Sequence, residues 1–318
     1  MISPRPPKPE GDRAPNHRLV WRPTPVVSTA IRETFEERLR FAEGCLALAD
    51  EDPARAIHSY RKTIRRSRSL IRLLRGVIPK ESLRSIDSGL RAAVLPTSGL
   101  RDARVLLGVL DALPPIEGSD PLREALTARW TRRVEAIEES GEERQALIAS
   151  QPPLRRLPGE LERALPADLG VEELQQAARR SYRRARQAGR SAIRVPEDEG
   201  IHRARKRIKE LRYQLEWLSG VSDAATRARQ KHCARLAGEL GEVTDLLVLE
   251  DAIRADLEVL RGLKARSFCQ RVRRRLLARF EEVTLSLESL FATRSREFAS
   301  GVGARILSGA EPPPDAET

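Results

Sequence analysis

Two stretches of the sequence, 144 residues apart, repeat one pattern of basic and apolar residues. The first is Ile57–Leu74, IHSYRKTIRRSRSLIRLL, and the second is Ile201–Leu218, IHRARKRIKELRYQLEWL. Placed at about 100° per residue, the apolar residues of each stretch fall on one arc and the basic residues fall on a neighbouring arc. The repeat therefore predicts two amphipathic helices, each with one buried apolar face and one cationic face.

The cationic face of each predicted helix opens with a histidine and continues at helical spacing. The first cationic stripe consists of His58, Arg61, Lys62, Arg65, Arg68 and Arg72. The second cationic stripe consists of His202, Arg205, Lys206, Lys209 and Arg212. Like charges three and four residues apart repel each other, so we expect a polyanion to neutralise them. The fourteen residue steps of the first stripe extend over about 21 Å at 1.5 Å per residue, enough to follow several consecutive phosphates.

The second copy departs from the first at two positions. Glu210 stands where the first copy has Arg66, and Glu216 stands where it has Arg72. We therefore expect the second stripe to be shorter than the first.

The charge balance of the chain also favours an anionic partner. Lysine and arginine outnumber the acidic residues by 58 to 46, and the sequence pI is about 10.4. No run approaches the roughly 18 apolar residues of a spanning helix, and the N-terminus lacks the apolar core of a signal peptide. We therefore expect a cytoplasmic protein without membrane contact. Cys45, Cys233 and Cys269 are widely spaced and are interpreted as reduced core residues.

The remainder of the chain reads as further helices, and strand patterns are absent from the sequence. Single helices are predicted over Leu122–Ile148, Val171–Arg190, Asp223–Leu260 and Ala265–Val302. Asp245 corresponds to Asp102 at an offset of 143, and Arg271 corresponds to Arg129 at an offset of 142. Offsets that shrink slowly along the chain indicate an internal duplication with small loop deletions. The fold class expected is all-α, built from helical bundles.

The predicted domain boundaries follow from this duplication. Half one spans 28–150, a proline-rich connector with at most one helical turn spans 151–169, and half two spans 170–309. The polar, proline-rich segments 1–27 and 310–318 are expected to be disordered tails.

The doubled His-x-x-Arg-Lys-x-x-(Arg/Lys)-x-x-Arg helix, with an aspartate-containing helix after each copy, resembles the CHAD domain. The resemblance covers about residues 28–309. It implies two four-helix bundles related by a pseudo-twofold axis, with a basic central channel that binds inorganic polyphosphate. It also implies binding by the residues of both stripes, in a protein that is not itself an enzyme and needs no cofactor.

Several arginines outside the stripes are further candidates for polyphosphate contacts. Some of them recur between the halves at a constant offset, which favours the channel over a solvated outer face. They are Arg129, Arg133, Arg183, Arg186, Arg271 and Arg275. This interpretation implies two further kinds of partner, which are other polyanions and an enzyme of polyphosphate metabolism. It also implies that the protein can associate with polyphosphate granules.

Three alternative functions compete with polyphosphate binding. Nucleic-acid backbone binding fits the net charge of +12, yet only Tyr213 and Trp217 lie near a stripe for base stacking. A polyphosphate-metabolising enzyme would need a carboxylate metal cluster or a glycine-rich phosphate loop, whereas Asp102 and Asp245 read as caps or ion-pair partners of the cationic face. A metal site at His58 and His202 is disfavoured because neighbouring arginines repel a cation.

Overall fold

The computed structural model describes residues 27–100, 102–114, 120–257, 260 and 263–308. Within these residues the chain is α-helical and forms no β-strand, so the expected all-α class is confirmed. The predicted tails 1–27 and 310–318 lie outside the described residues, except for Val27. None of the described helices combines the length and apolarity needed to cross a bilayer.

The first part of the chain forms short and medium helices. They are α1 (Val27–Leu48), α2 (Pro53–Leu73), α3 (Lys80–Val94), α4 (Asp102–Ala112), α5 (Asp120–Ser140) and α6 (Glu142–Ser150). The side chain of Asp52 caps α2 by accepting from the Arg55 backbone N–H at 2.9 Å. The single helix predicted over Leu122–Ile148 is wrong, because Gly141 adopts φ +68° and separates α5 from α6.

The last part of the chain forms longer helices. They are α8 (Val171–Arg194), α9 (Asp198–Leu218), α10 (Ala224–Ala255), α11 (Ala265–Leu290), α12 (Ser295–Ser300) and α13 (Ala304–Leu307). The helix predicted over Ala265–Val302 ends early, at Leu290, although its apolar pattern continues through buried Phe291, Phe298 and Val302. A turn followed by a short helix buries these apolar residues at the same sequence spacing as one long helix would.

The connector of residues 151–169 is more ordered than its proline content predicted. It contains a 3-10 turn at Pro152–Leu154 and the helix α7 (Leu157–Ala164), and Leu157 is fully buried. A Cβ placed on Gly89 of α3 would lie 2.7 Å from the Leu157 Cδ2 atom. This close approach shows that the connector docks against α3 as part of the core.

Corresponding helices of the two halves begin at equal offsets. The starts of α1 and α8, Val27 and Val171, are 144 residues apart, and so are the starts of α3 and α10, Lys80 and Ala224. The helix α10 is continuous, but the corresponding part of the first half is interrupted after α3 by a 3-10 turn at Leu95–Thr97. Pro96 lacks the N–H that a continuous helix would use. These offsets are those expected of a duplication, which stays a prediction, as does the channel.

The two repeated helices, α2 and α9, pack against each other, α2 on α1 and α3 and α9 on α8 and α10. Their predicted apolar arcs are confirmed as core, since Ile57, Ile64, Ile208 and Leu218 are fully buried. One continuous hydrophobic cluster contains side chains from both halves. The three cysteines are buried free thiols within it. The cationic stripes are therefore held on a rigid scaffold.

Candidate functional site

Two ion pairs join α2 to α9 where the helices pack. Arg66 Nε donates to Glu216 Oε2 at 3.1 Å, and Arg72 Nη1 donates to Glu210 Oε2 at 3.3 Å. Arg66 and Glu210 occupy equivalent positions of the repeat, and so do Arg72 and Glu216. Interchanging the two copies of the repeat therefore maps one ion pair onto the other. The copy that supplies the arginine stays the same, because both arginines belong to α2 and both glutamates to α9.

The same contact surface is fixed by polar side chains that the first copy lacks. Gln214 Nε2 donates to the Ser69 carbonyl at 3.1 Å, and Trp217 Nε1 donates to Ser69 Oγ at 3.2 Å. Trp217 is 1% exposed and Tyr213 is 8% exposed. Both aromatic residues belong to the helix contact, which accounts for their presence in one copy of the repeat.

The C-terminal half of the first stripe is neutralised by the protein. Arg68 Nε and Arg72 Nε both donate to Asp87 Oδ1 on α3, at 3.0 and 3.1 Å. Burial acts to raise the pKa of Asp87, but the hydrogen bonds and charges of these arginines outweigh it and hold that pKa below its usual value. Arg68 and Arg72 were predicted to bind polyphosphate, and sequence reasoning missed Asp87 because nothing in its local pattern distinguishes it from a surface acid.

In the N-terminal half of each stripe, one arginine contacts a segment that follows the stripe in the chain. Arg61 Nη1 donates to the Thr97 carbonyl at 2.7 Å and to Thr97 Oγ1 at 2.8 Å. Arg205 Nη2 lies 3.7 Å from Asp245 Oδ1 and 3.4 Å from the position of a Cβ on Gly241. Thr97 and Gly241 are themselves 144 residues apart. Asp245 is thus an ion-pair partner of the second stripe, as predicted, whereas the side chain of Asp102 lies outside the described structure.

Basic residues of both helices act electrostatically on Lys209. Its pKa falls to about 8, first because of burial and then because of the charges of Arg205, Arg65 and Arg212, while Asp245 acts in the opposite direction. Among the described residues, the side chain of Lys209 makes no hydrogen bond or ion pair. We call Arg65, Arg205, Lys209 and Arg212 the cationic cluster.

The remaining members of the cluster differ in their contacts. Arg212 Nε donates to Glu216 Oε1 at 3.0 Å, and its guanidinium lies 5.5 Å from the Tyr213 ring centroid. Arg65 is the contribution of α2, and it is partly exposed. The cluster therefore combines positive charge from two helices with partial access to solvent.

The two histidines lie in different surroundings. His58 is exposed, together with Lys62 of the same stripe. His202 is partly buried and lines a cavity of about 330 Å³ between α9 and α10, beside Lys206 and Asp251. Burial, and then the charges of Lys206 and Arg205, lower the pKa of His202, against opposing effects of Asp251 and Asp245. These influences favour the neutral imidazole of His202.

The arginines predicted outside the stripes are scattered over several helices. Arg129 Nη2 donates to Asp256 Oδ1 at 3.0 Å, and Arg133 lies 3.9 Å from Glu142. Arg183 and Arg275 are exposed, whereas Arg186 and Arg271 are partly buried. Their part in binding stays a prediction. In the part of the chain that the structure describes, no three His, Cys, Asp or Glu side chains are grouped as a metal ion requires.

A buried arginine behind the site escaped sequence reasoning. Arg38 of α1 is 1% exposed, and no group of the described residues accepts a hydrogen bond from its Nε, Nη1 or Nη2. Its guanidinium lies 5.4 Å from the Trp217 ring centroid. Burial is the largest influence on the pKa of Arg38 and lowers it to about 10, assisted by Arg66 and opposed by Glu37 and Glu216.

Comparison with known proteins identifies the family. The sequence model of the CHAD domain matches residues 29–254. A search of curated proteins returned no match. Among solved structures, the chain is similar to the crystal structure of the CHAD domain from the plant Ricinus communis, with a TM-score of 0.63 and 20% sequence identity. This similarity covers 90% of the chain and 99% of the plant structure, so the two share a fold. The chain therefore belongs to the CHAD domain family.

Proposed function

We propose that this protein binds inorganic polyphosphate along its two cationic stripes, with the cationic cluster as the strongest point of contact. The observation that carries the proposal is the convergence of Arg65 from α2 with Arg205 and Arg212 from α9 on Lys209. Burial, and then the charges of Arg205, Arg65 and Arg212, disfavour the charged form of Lys209 in the free protein and lower its pKa. A bound anion with several charges opposes this effect, and arginine forks on rigid helices suit phosphate oxygens.

The length and accessibility of the stripes favour a chain of phosphates over a single phosphate. At 1.5 Å per residue the first stripe extends over about 21 Å and the second over about 15 Å. Exposed His58 and Lys62 lie at one end of the first stripe and Lys206 is exposed on the second. In this proposal the stripes line a basic channel between two pseudo-twofold-related halves. The ion pairs Arg66–Glu216 and Arg72–Glu210 hold α2 and α9 in register beneath it.

The structure gives less support to nucleic acid as the ligand. Trp217 is buried, and Tyr213 packs between the guanidinium groups of Arg66 and Arg212 at 5.4 and 5.5 Å. Neither ring offers an exposed face on which a base could stack. Nucleic-acid binding through these helices would therefore be limited to the phosphate backbone.

The proposal is for binding without catalysis by this chain. Asp87, Glu210 and Glu216 are each paired with arginine, so these carboxylates face a cation rather than a metal ion. Positive side chains alone hold a phosphate chain in place, whereas phosphoryl transfer also requires a metal or an activated nucleophile beside it. The protein would act in the cytoplasm or at polyphosphate granules, with a separate enzyme of polyphosphate metabolism as partner.

A matched pair of double charge reversals tests the proposal. Arg65→Glu with Lys209→Glu reverses two of the four charges of the cluster, whereas Arg155→Glu with Arg156→Glu changes two exposed arginines of the connector by the same net charge. The dissociation constant for long-chain polyphosphate is measured at several salt concentrations, after circular dichroism has established that both variants are folded. We expect the first variant to bind about a hundredfold more weakly, with a salt slope shallower by about one unit per lost phosphate contact.

The control variant is expected to lose less than about threefold in affinity. Equal losses in both variants would indicate diffuse charge attraction and would contradict a defined site. A competition between polyphosphate and duplex DNA at equal phosphate concentration gives a second measurement. Preferential binding of DNA would contradict polyphosphate as the ligand.

A further inference from the structure

The helix α11 has one side buried in the fold and one side that faces solvent. It packs against α10 and α8, and its buried side includes Val272, Leu276, Val283 and Leu287. At about 100° per residue, a second set of residues falls within an arc of about 100° on the opposite side, and all of them are exposed. They are Ser267, Gln270, Arg274, Leu277, Ala278, Glu281, Leu285 and Glu288, and we call them the outer row of α11.

The outer row carries two leucines that the fold of one chain leaves in contact with water. Leu277 is 41% exposed and Leu285 is 73% exposed, and they lie about two turns apart. Ala278 follows Leu277 and has a short side chain, so a second helix can approach α11 closely at this point. A leucine in water gains little of the free energy that burial of its side chain provides. The row therefore contains an apolar strip that association with another surface would cover.

The charges of the outer row change sign along the helix. Arg274 lies on the N-terminal side of Leu277, whereas Glu281 and Glu288 lie on its C-terminal side. Among the residues that the structure describes, none of these three charged side chains forms an ion pair or a side-chain hydrogen bond. Their charges are therefore available to a partner.

The order of these charges is opposite to the order that stabilises an isolated helix. Acidic side chains stabilise the amino end of a helix, and basic side chains stabilise the carboxyl end. In α11 the first turn contains Arg266 and no acidic residue, and the last turn contains Glu288 and no basic residue. The helix α9, by contrast, begins with Asp198 and Glu199. Local helix stability does not account for the charge order of α11, which favours an explanation by contact with another surface.

We propose that the outer row of α11 binds the outer row of a second copy of this chain, with the two helices antiparallel about a twofold axis between Leu277 and Ala278. In this arrangement Arg274 of each copy faces Glu281 of the other copy, and Leu277 faces Ala278. Because the contact is symmetric, each of these pairs occurs twice. A parallel arrangement would place Arg274 beside Arg274 and Glu281 beside Glu281, and these like charges repel.

The same charges also determine the register of the two helices. A shift of one helix by seven residues would place Leu277 opposite Leu285, but it would also place Glu281 beside Glu281 of the second copy at the axis. Repulsion between these carboxylates disfavours the shifted register. In the proposed register Leu285 faces Gln270, whose methylene groups cover part of the leucine.

This inference goes beyond the proposed function and does not depend on it, because the outer row contains no residue of the cationic stripes. The outer row spans about 32 Å at 1.5 Å per residue, so a single helix from each copy supplies a small interface. We therefore expect a reversible dimer with a dissociation constant between about 1 and 100 μM. If the proposed function also holds, the dimer carries two polyphosphate sites, and a chain long enough to reach both would bind more tightly than a short one.

The test is the concentration dependence of the molecular mass of the full chain, measured by sedimentation equilibrium without polyphosphate. The wild type should change from monomer to dimer between about 1 and 200 μM. Arg274→Glu and Glu281→Arg should each weaken the dimer at least about tenfold, because each places two like-charge pairs in the contact. Arg84→Glu in α3 and Glu139→Arg in α5 are the controls at exposed sites, and they should leave the dimer unchanged. A wild type that stays monomeric over this range, or dimers of equal strength in all five proteins, would overturn the inference.

Exchange of the two charges gives a sharper measurement. A mixture of equal amounts of the Arg274→Glu and Glu281→Arg variants should form a heterodimer at concentrations where each variant by itself is monomeric, because the two copies are complementary. The variant with both substitutions restores each pair with reversed charges and should dimerise within about threefold of the wild type. A mixture that stays monomeric, or a double variant weaker than both single variants, would contradict the pairing of Arg274 with Glu281.

Replacement of Leu285 with Ser tests the apolar strip. The dimer should weaken several-fold, whereas the melting temperature of the dilute monomer should stay that of the wild type, because Leu285 is 73% exposed. An unchanged dimer would contradict burial of this side chain by the second copy.

Polyphosphate affinity is measured separately on dilute, monomeric protein. Dimerisation through α11 without polyphosphate binding would refute the proposed function and support this inference. Tight polyphosphate binding by a chain that stays monomeric at every concentration would have the opposite meaning.

Discussion

Arg66 on α2 and Glu216 on α9 form an ion pair of 3.1 Å in which both side chains are less than 10% exposed. The pair exchanges position with Arg72–Glu210 under the 144-residue offset of the repeat. The two acidic residues of the second copy, which departed from the pattern of the first, are thus the partners of basic residues in the first. They specify how the two helices pack and leave the cationic cluster beside them.

Replacing Glu216 with Gln should strongly destabilise the fold. The carboxylate accepts from Arg66 and Arg212 and lies near Arg38, so its loss leaves buried cations without a neighbouring negative charge. We expect the free energy of unfolding to fall by about 3 kcal/mol in urea denaturation. Glu199→Gln is the control, because Glu199 pairs with Arg203 at an exposed site and should cost under about 1 kcal/mol. Equal effects would show that the buried pair is not structural.

Replacing Arg38 with Met should leave stability unchanged or raise it. Arg38 is buried, its three nitrogens find no acceptor among the described residues, and its pKa is lowered to about 10. An apolar side chain of similar length avoids the desolvation of the charge, a change that is often neutral or stabilising by about 1 kcal/mol or more. Thermal and urea unfolding measure the effect. A loss of more than about 2 kcal/mol would mean that the stacking on Trp217 outweighs the desolvation.

The affinity for polyphosphate should fall as pH rises through about 8. The pKa of Lys209 is about 8 in the free protein, and a bound polyanion raises it. Between those two values the complex holds a proton that the free protein has lost, so increasing pH favours dissociation. Isothermal titration in buffers of different ionisation enthalpy should detect the proton uptake. Lys209→Arg should abolish the pH dependence in this range while keeping the charge, and an unchanged profile would exclude Lys209 as its source.

A second pH dependence should arise from His202. Burial, Lys206 and Arg205 lower its pKa in the free protein, and polyphosphate would raise it. The complex then holds more protons than the free protein around and below the ordinary value of about 6.5, so affinity should rise as pH falls. His202→Gln should flatten this part of the profile and retain most of the affinity. If the variant keeps the wild-type profile but melts at a lower temperature, His202 is a packing residue of α9.

The lowered pKa of Lys209 should also make the stability of the fold depend on pH. Its pKa is lower in the folded protein than the ordinary lysine value of 10.5, so between about pH 8 and 10.5 the unfolded chain binds more protons. The contribution of Lys209 to stability therefore increases as pH rises through that range. Lys209→Met should be more stable than the wild type at pH 7 and should lose that advantage by pH 10. A constant difference between the two proteins across this range would contradict the shifted pKa.

The sequence by itself determined the helices and the faces that they bury. Ile57 and Ile64 lie about two helical turns apart on one face, and such spacing is a local property that does not depend on how the helices pack. The same local rule failed where tertiary contacts imitate a helix. Phe298 belongs to the separate short helix α12 and is buried there. Gly141 follows the end of α5, although the apolar spacing continues beyond it. Periodicity records burial, and it does not record whether the chain turns between two buried residues.

Only the tertiary structure decided which basic residues are neutralised by the protein. Arg72 and Lys209 both belong to the cationic stripes of their helices, yet Arg72 pairs with Asp87 and Glu210, whereas the pKa of Lys209 is lowered by burial and by charges that include Arg65 of α2. Neither the acids nor the opposing arginine is near in sequence. Charges interact over a few ångströms of space, so the partner of each side chain is set by how the helices pack rather than by the pattern of its own helix.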